Sequence, residues 1–95
     1  MATSGIDAGL RLAELCKALG HPARVTILRF LRSQRAGATC GDIVRQLPLA
    51  QSTVSQHLEA LRIAGLIRGV PAAPRMIYHA EPAGLEALKR EVTAL

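Results

Sequence analysis

Two helical segments lie on either side of the turn Leu47-Pro48-Leu49, and this arrangement constrains the fold more than any other feature of the sequence. Because proline cannot continue a helix, the first segment, which follows Thr39 as a predicted N-cap, ends at about Gln46. The second segment, from Gln51 to Ala64, carries apolar residues at the spacing of one helical face. These residues are Val54, Leu58 and Leu61. A short helix, a tight turn and a second helix together predict a helix-turn-helix unit.

Three further helices are predicted around this unit. The second helix of the chain opens at Pro22, after His21 as its predicted N-cap, and the last helix opens at Pro82, because proline suits the first helical position. The apolar face of the first helix consists of Leu12, Leu15, Cys16 and Leu19. The apolar stripe of the last helix consists of Leu85, Leu88, Val92 and Leu95.

A β-hairpin is predicted before the last helix. The segments Leu66–Val70 and Arg75–His79 are typical of strands, and Pro71–Pro74 forms a short, stiff connection between them. The predicted order is α-α-α-α-β-β-α, a mainly α fold with a small β-hairpin, which is the winged helix-turn-helix class. We expect one domain over residues 1–95, with residues 1 to about 9 as a flexible N-terminus. A domain of this size buries a modest part of its surface, so pairing with a second copy would enlarge its core.

The outer side of the second helix of the unit carries compact hydrogen-bonding side chains instead of the charged pairs of an ordinary solvated helix. Glutamine can present a paired donor and acceptor to an adenine edge, and serine or threonine can bind bases or phosphates. The N-terminal part of a recognition helix usually enters the major groove of DNA. The alternative is a polar face that only keeps the helix soluble. The residues of this helix predicted to contact DNA are Gln51, Ser52, Thr53, Ser55, Gln56, His57 and Arg62.

Basic residues are concentrated in the middle of the chain. Residues 17–75 contain nine Lys/Arg against two acids, whereas the first 16 and the last 20 residues each have a net charge of −1. The middle is therefore the candidate surface for a polyanion. Arg68 and Arg75 flank the predicted hairpin connection, where they are placed to contact phosphates or the minor groove. The alternative is that either arginine is an ordinary surface residue.

Two separate motifs resemble those of the ArsR/SmtB-type winged-helix repressors. The segment Leu49–Ile67, LAQSTVSQHLEALRIAGLI, resembles the recognition-helix signature of that family, and Leu19–Leu28, LGHPARVTIL, resembles its helix-opening motif. Ile77-Tyr78 followed by a terminal helix is similar to the family's wing and last helix. The resemblance extends over residues 12–92. One departure is Ala50, where the family usually has a serine N-cap.

The resemblance implies a homodimeric repressor that binds an inverted-repeat operator in double-stranded DNA. Its recognition helix, Gln51–Ala64, would enter the major groove, and the 66–79 hairpin would act as the wing. The first and last helices would pair across the two-fold axis. The residues expected at this dimer interface are Leu12, Leu15, Leu85, Leu88 and Val92.

The thiol and metal sites of the family are not matched. Asp42 aligns with the aspartate of the Cys-x-Cys-Asp metal motif, but Thr39 and Gly41 occupy the two cysteine positions and Cys40 falls between them. The last helix contains no histidine. We therefore expect no metal and no cofactor, with His79 as a surface residue at a strand end, and the sequence identifies no inducer. A thiol or metalloid sensor that uses Cys16 and Cys40 is the alternative.

Three function classes compare as follows. A sequence-specific repressor is favoured, a nonspecific architectural DNA binder is the main alternative, and a protein-interaction module would need an acidic or apolar recognition helix. An enzyme is not expected, because Ser52, Ser55 and His57 lie on one helix with no acid to orient the imidazole. Two cysteines, no secretory signal and no apolar run long enough for a membrane span favour a cytoplasmic protein with reduced thiols.

Overall fold

The computed structural model describes the backbone of residues 2–95 and the side chains of residues 9–95. Within this range five helices and two strands follow the predicted order. The elements are α1 Ala2–Ala18, α2 Pro22–Arg32, α3 Cys40–Val44, α4 Gln51–Ile63, β1 Ile67–Ala72, β2 Arg75–Ala80 and α5 Pro82–Thr93. The winged helix-turn-helix prediction is confirmed.

One hydrophobic core joins α1, α2, α3, α4 and the start of β1. Each helix contributes residues at helical spacing, so that one face of the helix is buried and the other is exposed. Burying a leucine, isoleucine or valine side chain contributes about 1.5–3 kcal/mol. The largest fully buried side chains are Leu15, Ile27, Leu31, Ile43, Val54, Leu58, Leu61, Leu66 and Ile67.

The hairpin is longer than predicted and is attached to the loop before α3. The strands pair in antiparallel register from Ile67 with Ala80 to Ala72 with Arg75, so the first half of the predicted connection belongs to β1. Ala38 forms a further bridge to Tyr78, with N–H to carbonyl bonds of 3.0 and 2.8 Å in the two directions. A single bridging residue has no alternating pattern, so the sequence could not reveal this rung. It anchors β2 at the base of the wing.

The turn after α4 packs against both terminal helices. Arg11 of α1 donates a hydrogen bond to the Ala64 carbonyl at 3.3 Å. Gly65 has φ +79°, a conformation that favours glycine, and it directly follows Ala64, the C-cap residue of α4. Gly84 of α5 is buried beside it, and a Cβ on Gly84 would lie 2.0 Å from the Gly65 carbonyl oxygen. The close contact between α5 and this turn therefore requires glycine at position 84, because any other residue would add a Cβ there.

Two predictions about α1 are wrong. Leu15 is fully buried within its own chain, so it supports the core and cannot line a dimer interface. Cys16, predicted on the buried stripe, is exposed, because Ala18 completes the buried face in its place. The helix also begins at Ala2, earlier than the apolar pattern indicated. Flexibility of residues 1–9 stays a prediction, because it concerns mainly residues outside the described side chains.

Across residues 2–95 we find no helix that combines the length and the hydropathy needed to cross a bilayer.

The Gly84 contact gives a stability prediction. Gly84→Ala should lower the free energy of unfolding by about 1–3 kcal/mol, because the new methyl group overlaps backbone that cannot move aside easily. Gly9→Ala in exposed α1, where an added Cβ meets nothing within 4 Å, should instead raise it by up to about 1 kcal/mol. Urea denaturation of both variants measures the two effects. A Gly84→Ala protein as stable as the wild type would show that α5 does not pack this closely.

Candidate nucleic-acid interface

A reciprocal capping box fixes the start of α3. The Asp42 N–H donates to the Thr39 hydroxyl at 3.1 Å, and the Thr39 N–H donates to the Asp42 carboxylate at 3.0 Å. The bond from the Thr39 N–H holds the pKa of the Asp42 carboxyl below its usual value, and Arg45 adds an ion pair at 2.8 Å. Because α3 has only five residues, these bonds matter for its stability. The N-cap prediction for Thr39 is confirmed.

The exposed face of α4 presents most of the residues predicted to contact DNA. Val54 and Leu58 are fully buried, so helical periodicity turns the opposite face of α4 outward. Thr53 is half-buried and less available. The exposed side chains on this face are Gln51, Ser52, Ser55 and Gln56.

A polar cleft of about 410 Å³ separates the start of α4 from the wing. Gln51 contributes to its lining from the helix, and Arg75 and Met76 contribute from β2. Arg45, the C-cap residue of α3, lines the same cleft and was not among the predicted site residues. Its position directly before the proline turn was the available signal. The cleft therefore combines hydrogen-bonding groups with two guanidinium groups next to the exposed face of α4.

Arg68 lies at the base of the wing and not beside its tip. It pairs across the hairpin with His79, and its Nε lies 3.8 Å from the Glu81 carboxylate. Arg75, in contrast, pairs with Ala72 next to the turn. The prediction that both arginines flank the tip is wrong for Arg68, because β1 continues to Ala72 and moves the turn away from it.

Comparisons with known proteins agree with this geometry. A family model described as a helix-turn-helix domain matches residues 19–70. The HTH-type transcriptional regulator Rv2034 of Mycobacterium tuberculosis is 40% identical over 52 residues, which cover 55% of this chain and 49% of that protein. The HTH-type transcriptional repressor SmtB of the same species is 38% identical over 66 residues, which cover 68% of this chain and 47% of that protein. An ArsR-like transcriptional regulator from Rhodococcus sp. RHA1 superposes with a TM-score of 0.78 at 28% identity, covering 90% of this chain and 78% of that chain.

The chain belongs to the ArsR/SmtB-type helix-turn-helix transcriptional regulators. It spans about half the length of the two M. tuberculosis relatives. The matched segment contains α2, α3, α4 and the start of β1. Of these elements, α3 and α4 line the cleft.

In this ArsR/SmtB-type regulator His57 is half-buried and packs against α2. Arg24 Nε donates to His57 Nδ1 at 3.0 Å, and Arg24 Nη1 donates to the Ala18 carbonyl at 3.3 Å. The His21 ring lies 5.7 Å from the His57 ring, centroid to centroid. Burial lowers the pKa of His57, and the charges of Arg24 and His21 lower it further. The geometry therefore favours a packing role for His57 over the DNA contact predicted for it.

His21 occupies the N-cap position of α2, as predicted, but its side chain makes no capping bond.

Arg62 is held by an acid on its own helix. Its guanidinium donates to both carboxylate oxygens of Glu59, at 3.0 and 2.5 Å. This pairing lowers the pKa of Glu59 below its usual value. Arg62 must leave Glu59 before it can bind a phosphate, although an exposed pair of this kind is easily broken. DNA contact by Arg62 stays a prediction with weaker support than contact by Arg75, which forms no ion pair among the described side chains. Arg45 is paired with Asp42 in the same way as Arg62 is paired with Glu59.

The two thiols of the regulator have different surroundings. Cys40 Sγ lies 3.5 Å from Ser55 Oγ, at the cleft beside α4, and Cys16 is exposed on α1. Among residues 9–95 no three His, Cys, Asp or Glu side chains converge as metal ligands would. A sensing role for Cys16 and Cys40 stays a prediction.

The N-cap of α4 gives a second prediction. Ala50 occupies this position and makes no side-chain capping bond. Ala50→Thr should raise the free energy of unfolding by about 0.5–2 kcal/mol relative to Ala50→Val, because the threonine hydroxyl can accept an N–H of the first turn and the isosteric valine cannot. Thermal denaturation of the two variants measures the difference. Equal stabilities would mean that the first turn gains nothing from a cap.

The pKa of His57 gives a third prediction. Because its pKa is lower in the folded chain than the ordinary 6.5, the unfolded chain binds this proton more tightly. The free energy of unfolding should therefore fall as the pH decreases from 7.5 to 5.5, with the loss beginning near the unfolded pKa. His57→Asn should flatten this dependence, since asparagine keeps an acceptor for Arg24 and does not titrate. Gln56→Asn, an exposed neighbour of His57 that does not titrate, should keep the wild-type slope. The same slope in His57→Asn would contradict the assignment.

Proposed function

We propose that this protein is a homodimeric transcriptional repressor that binds an inverted-repeat operator in double-stranded DNA. The proposal depends chiefly on one observation, the exposed first two turns of α4 beside a cleft that contains Arg45 and Arg75. The major groove of B-DNA is about 12 Å wide and accepts one α-helix. The proposal gives the chain a binding role and no catalytic one.

The side chains around the cleft divide into two proposed roles. Gln51, Ser52, Ser55 and Gln56 are short and uncharged, so in the major groove they would bind base edges and specify sequence. Arg45 and Arg75 would bind phosphates on either side and fix the position of α4 along the duplex. Arg75 belongs to the wing, so phosphate contact there would hold α4 and the wing on the same half-site.

Dimer formation is supported by the apolar surface that α1 and α5 leave exposed. Leu10 of α1 is 59% exposed and Val92 of α5 is 49% exposed, and the two helices are in contact within the chain. Leu12 and Leu88 are half-buried beside them. A two-fold pair would cover this surface and would place two α4 helices on successive turns of one face of the DNA, which is how helix-turn-helix dimers read inverted repeats.

The proposal that the protein represses transcription, and does not activate it, is inferred from its relatives. The M. tuberculosis relative SmtB is named a repressor.

Substitution at two positions separates base readout from phosphate binding. Gln56→Ala should weaken binding to the operator by about 1–3 kcal/mol and should relax the preference at one position of each half-site. Arg75→Ala should weaken binding to all sequences alike and lower the slope of log affinity against log salt by about one. Fluorescence anisotropy on the operator recovered by genomic footprinting, and on single-base variants of it, measures both effects.

Arg90→Ala, an exposed arginine on α5, is the matched control and should bind like the wild type. Identical behaviour of Gln56→Ala and Arg75→Ala on every operator variant would contradict the two roles. A steep salt slope with no preference for the operator would instead indicate a nonspecific architectural protein.

Substitution on α5 tests the dimer. Val92→Glu should weaken dimerisation at least about tenfold, because a two-fold interface would bury the new carboxylate twice. Thr93→Glu, an exposed neighbour on the same helix, introduces the same charge and should leave the dimer unchanged. Sedimentation equilibrium at micromolar concentrations measures both constants. A monomeric wild type under these conditions would contradict the dimer proposal.

A further inference from the structure

A second cleft, of about 330 Å³, lies at the base of the wing. Its walls are formed by the C-terminal half of α2, by the ends of the two strands that lie away from the hairpin turn, and by the first turn of α5. None of its lining residues lines the cleft beside α4. The function proposed above therefore leaves this cleft without a role.

The floor of the cleft is apolar. Leu28 and Leu31 of α2 line it and are buried members of the core, so they form a fixed surface. Leu85 of α5, expected from the sequence at the dimer interface, is half-buried and lines the cleft from the other side. An apolar group placed on this floor would remove its own surface and that of Leu85 from water, which favours binding by about 25 cal/mol per Å².

The rim of the cleft carries more cationic than acidic groups. Arg32 at the end of α2, Arg35 in the turn after it and Arg68 of β1 line the cleft, together with the two acids Glu81 and Glu86. Arg68 lies 3.8 Å from Glu81, too far for a hydrogen bond, and Glu86 is paired with Lys89. Within the described side chains neither Arg32 nor Arg35 forms an ion pair. Guanidinium groups bind carboxylates with two parallel hydrogen bonds, so the rim offers donors that the chain itself does not use.

We propose that this cleft binds a small organic carboxylate with an apolar body, such as an aromatic ring or a short alkyl chain. The volume lies at the lower end of the range found for ligand sites, which limits the ligand to about one ring or an equivalent chain. The carboxylate binds at Arg32 and Arg35, and the apolar body lies on Leu28, Leu31 and Leu85. Phosphate and nucleic acid lack the apolar body that the floor requires.

The position of the cleft makes the ligand a candidate effector. Arg68 belongs to β1 of the wing, and Glu81 is the N-cap residue of α5. Because Arg68 of the wing and Leu85 of α5 both line the cleft, a ligand in it would contact the wing and the last helix together. An effect of the ligand on DNA binding rests on the proposed function, whereas the binding site itself does not.

Calorimetric titration of the full chain in the absence of DNA tests the site. The probes are benzoate, acetate, which lacks the apolar body, and benzamide, which lacks the charge. Benzoate should bind at least about tenfold more tightly than either of the others, because only benzoate uses both the rim and the floor. No detectable binding of benzoate, or equal binding of acetate or benzamide, would overturn the proposal.

A matched pair of variants locates the site. Arg32→Ala with Arg35→Ala should weaken benzoate binding at least about tenfold, through loss of charge-assisted bonds. Arg29→Ala, an exposed arginine of α2 that does not line the cleft, should change it less than twofold. Methyl NMR signals of Leu28, Leu31 and Leu85 should shift during the titration, while that of Val54 in α4 should not. Unchanged affinity in the double variant, or shifts confined to α4, would overturn the assignment to this cleft. Because no arm contains DNA, failure here is distinguishable from failure of the repressor proposal.

Discussion

The buried stripe of α4 is the constraint on which the rest of the molecule depends. Val54, Leu58 and Leu61 are all fully buried, and each contributes about 1.5–3 kcal/mol by leaving water. Because a helix has 3.6 residues per turn, fixing this stripe in the core also fixes which side chains face outward. The burial of the apolar stripe therefore also orients the polar side chains at the start of α4. The outward direction of these polar side chains is linked to the stability of the core, since any rotation of α4 would expose the stripe.

One side chain sets where α4 lies relative to the helices behind it. Arg24 of α2 donates to the Ala18 carbonyl at the end of α1 and to the ring of His57 in α4. The guanidinium group suits this position because its donors point in several fixed directions. The arrangement also keeps His57 as an acceptor, so the neutral ring is part of the packing. Protonation of His57 would remove the acceptor through which Arg24 joins α4 to α2.

The basic residues in the middle of the chain form two separate surfaces. Arg45 and Arg75 lie at the cleft beside α4, and Arg32, Arg35 and Arg68 surround the cleft at the base of the wing. The wing connects them, with Arg75 near its tip and Arg68 near its base. The bridge between Ala38 and Tyr78 holds the middle of β2 to the loop before α3. Under the two proposals, this separation would give one fold a place for a polyanion and a place for a small anion.

The sequence alone determined the element order, the buried face of α4 and the cap at Thr39, because these depend on periodicity and on side chains close along the chain. It also predicted Ala50 as an uncapped helix start. The tertiary structure decided which residues far apart in sequence meet: Arg24 with His57, Arg45 with the wing, and Arg68 with Glu81 instead of with the wing tip. It also decided that Leu15 is core and Cys16 is exposed. Helical spacing identifies an apolar face, but only the packed neighbours fix where the edges of that face lie and which charges share a cleft.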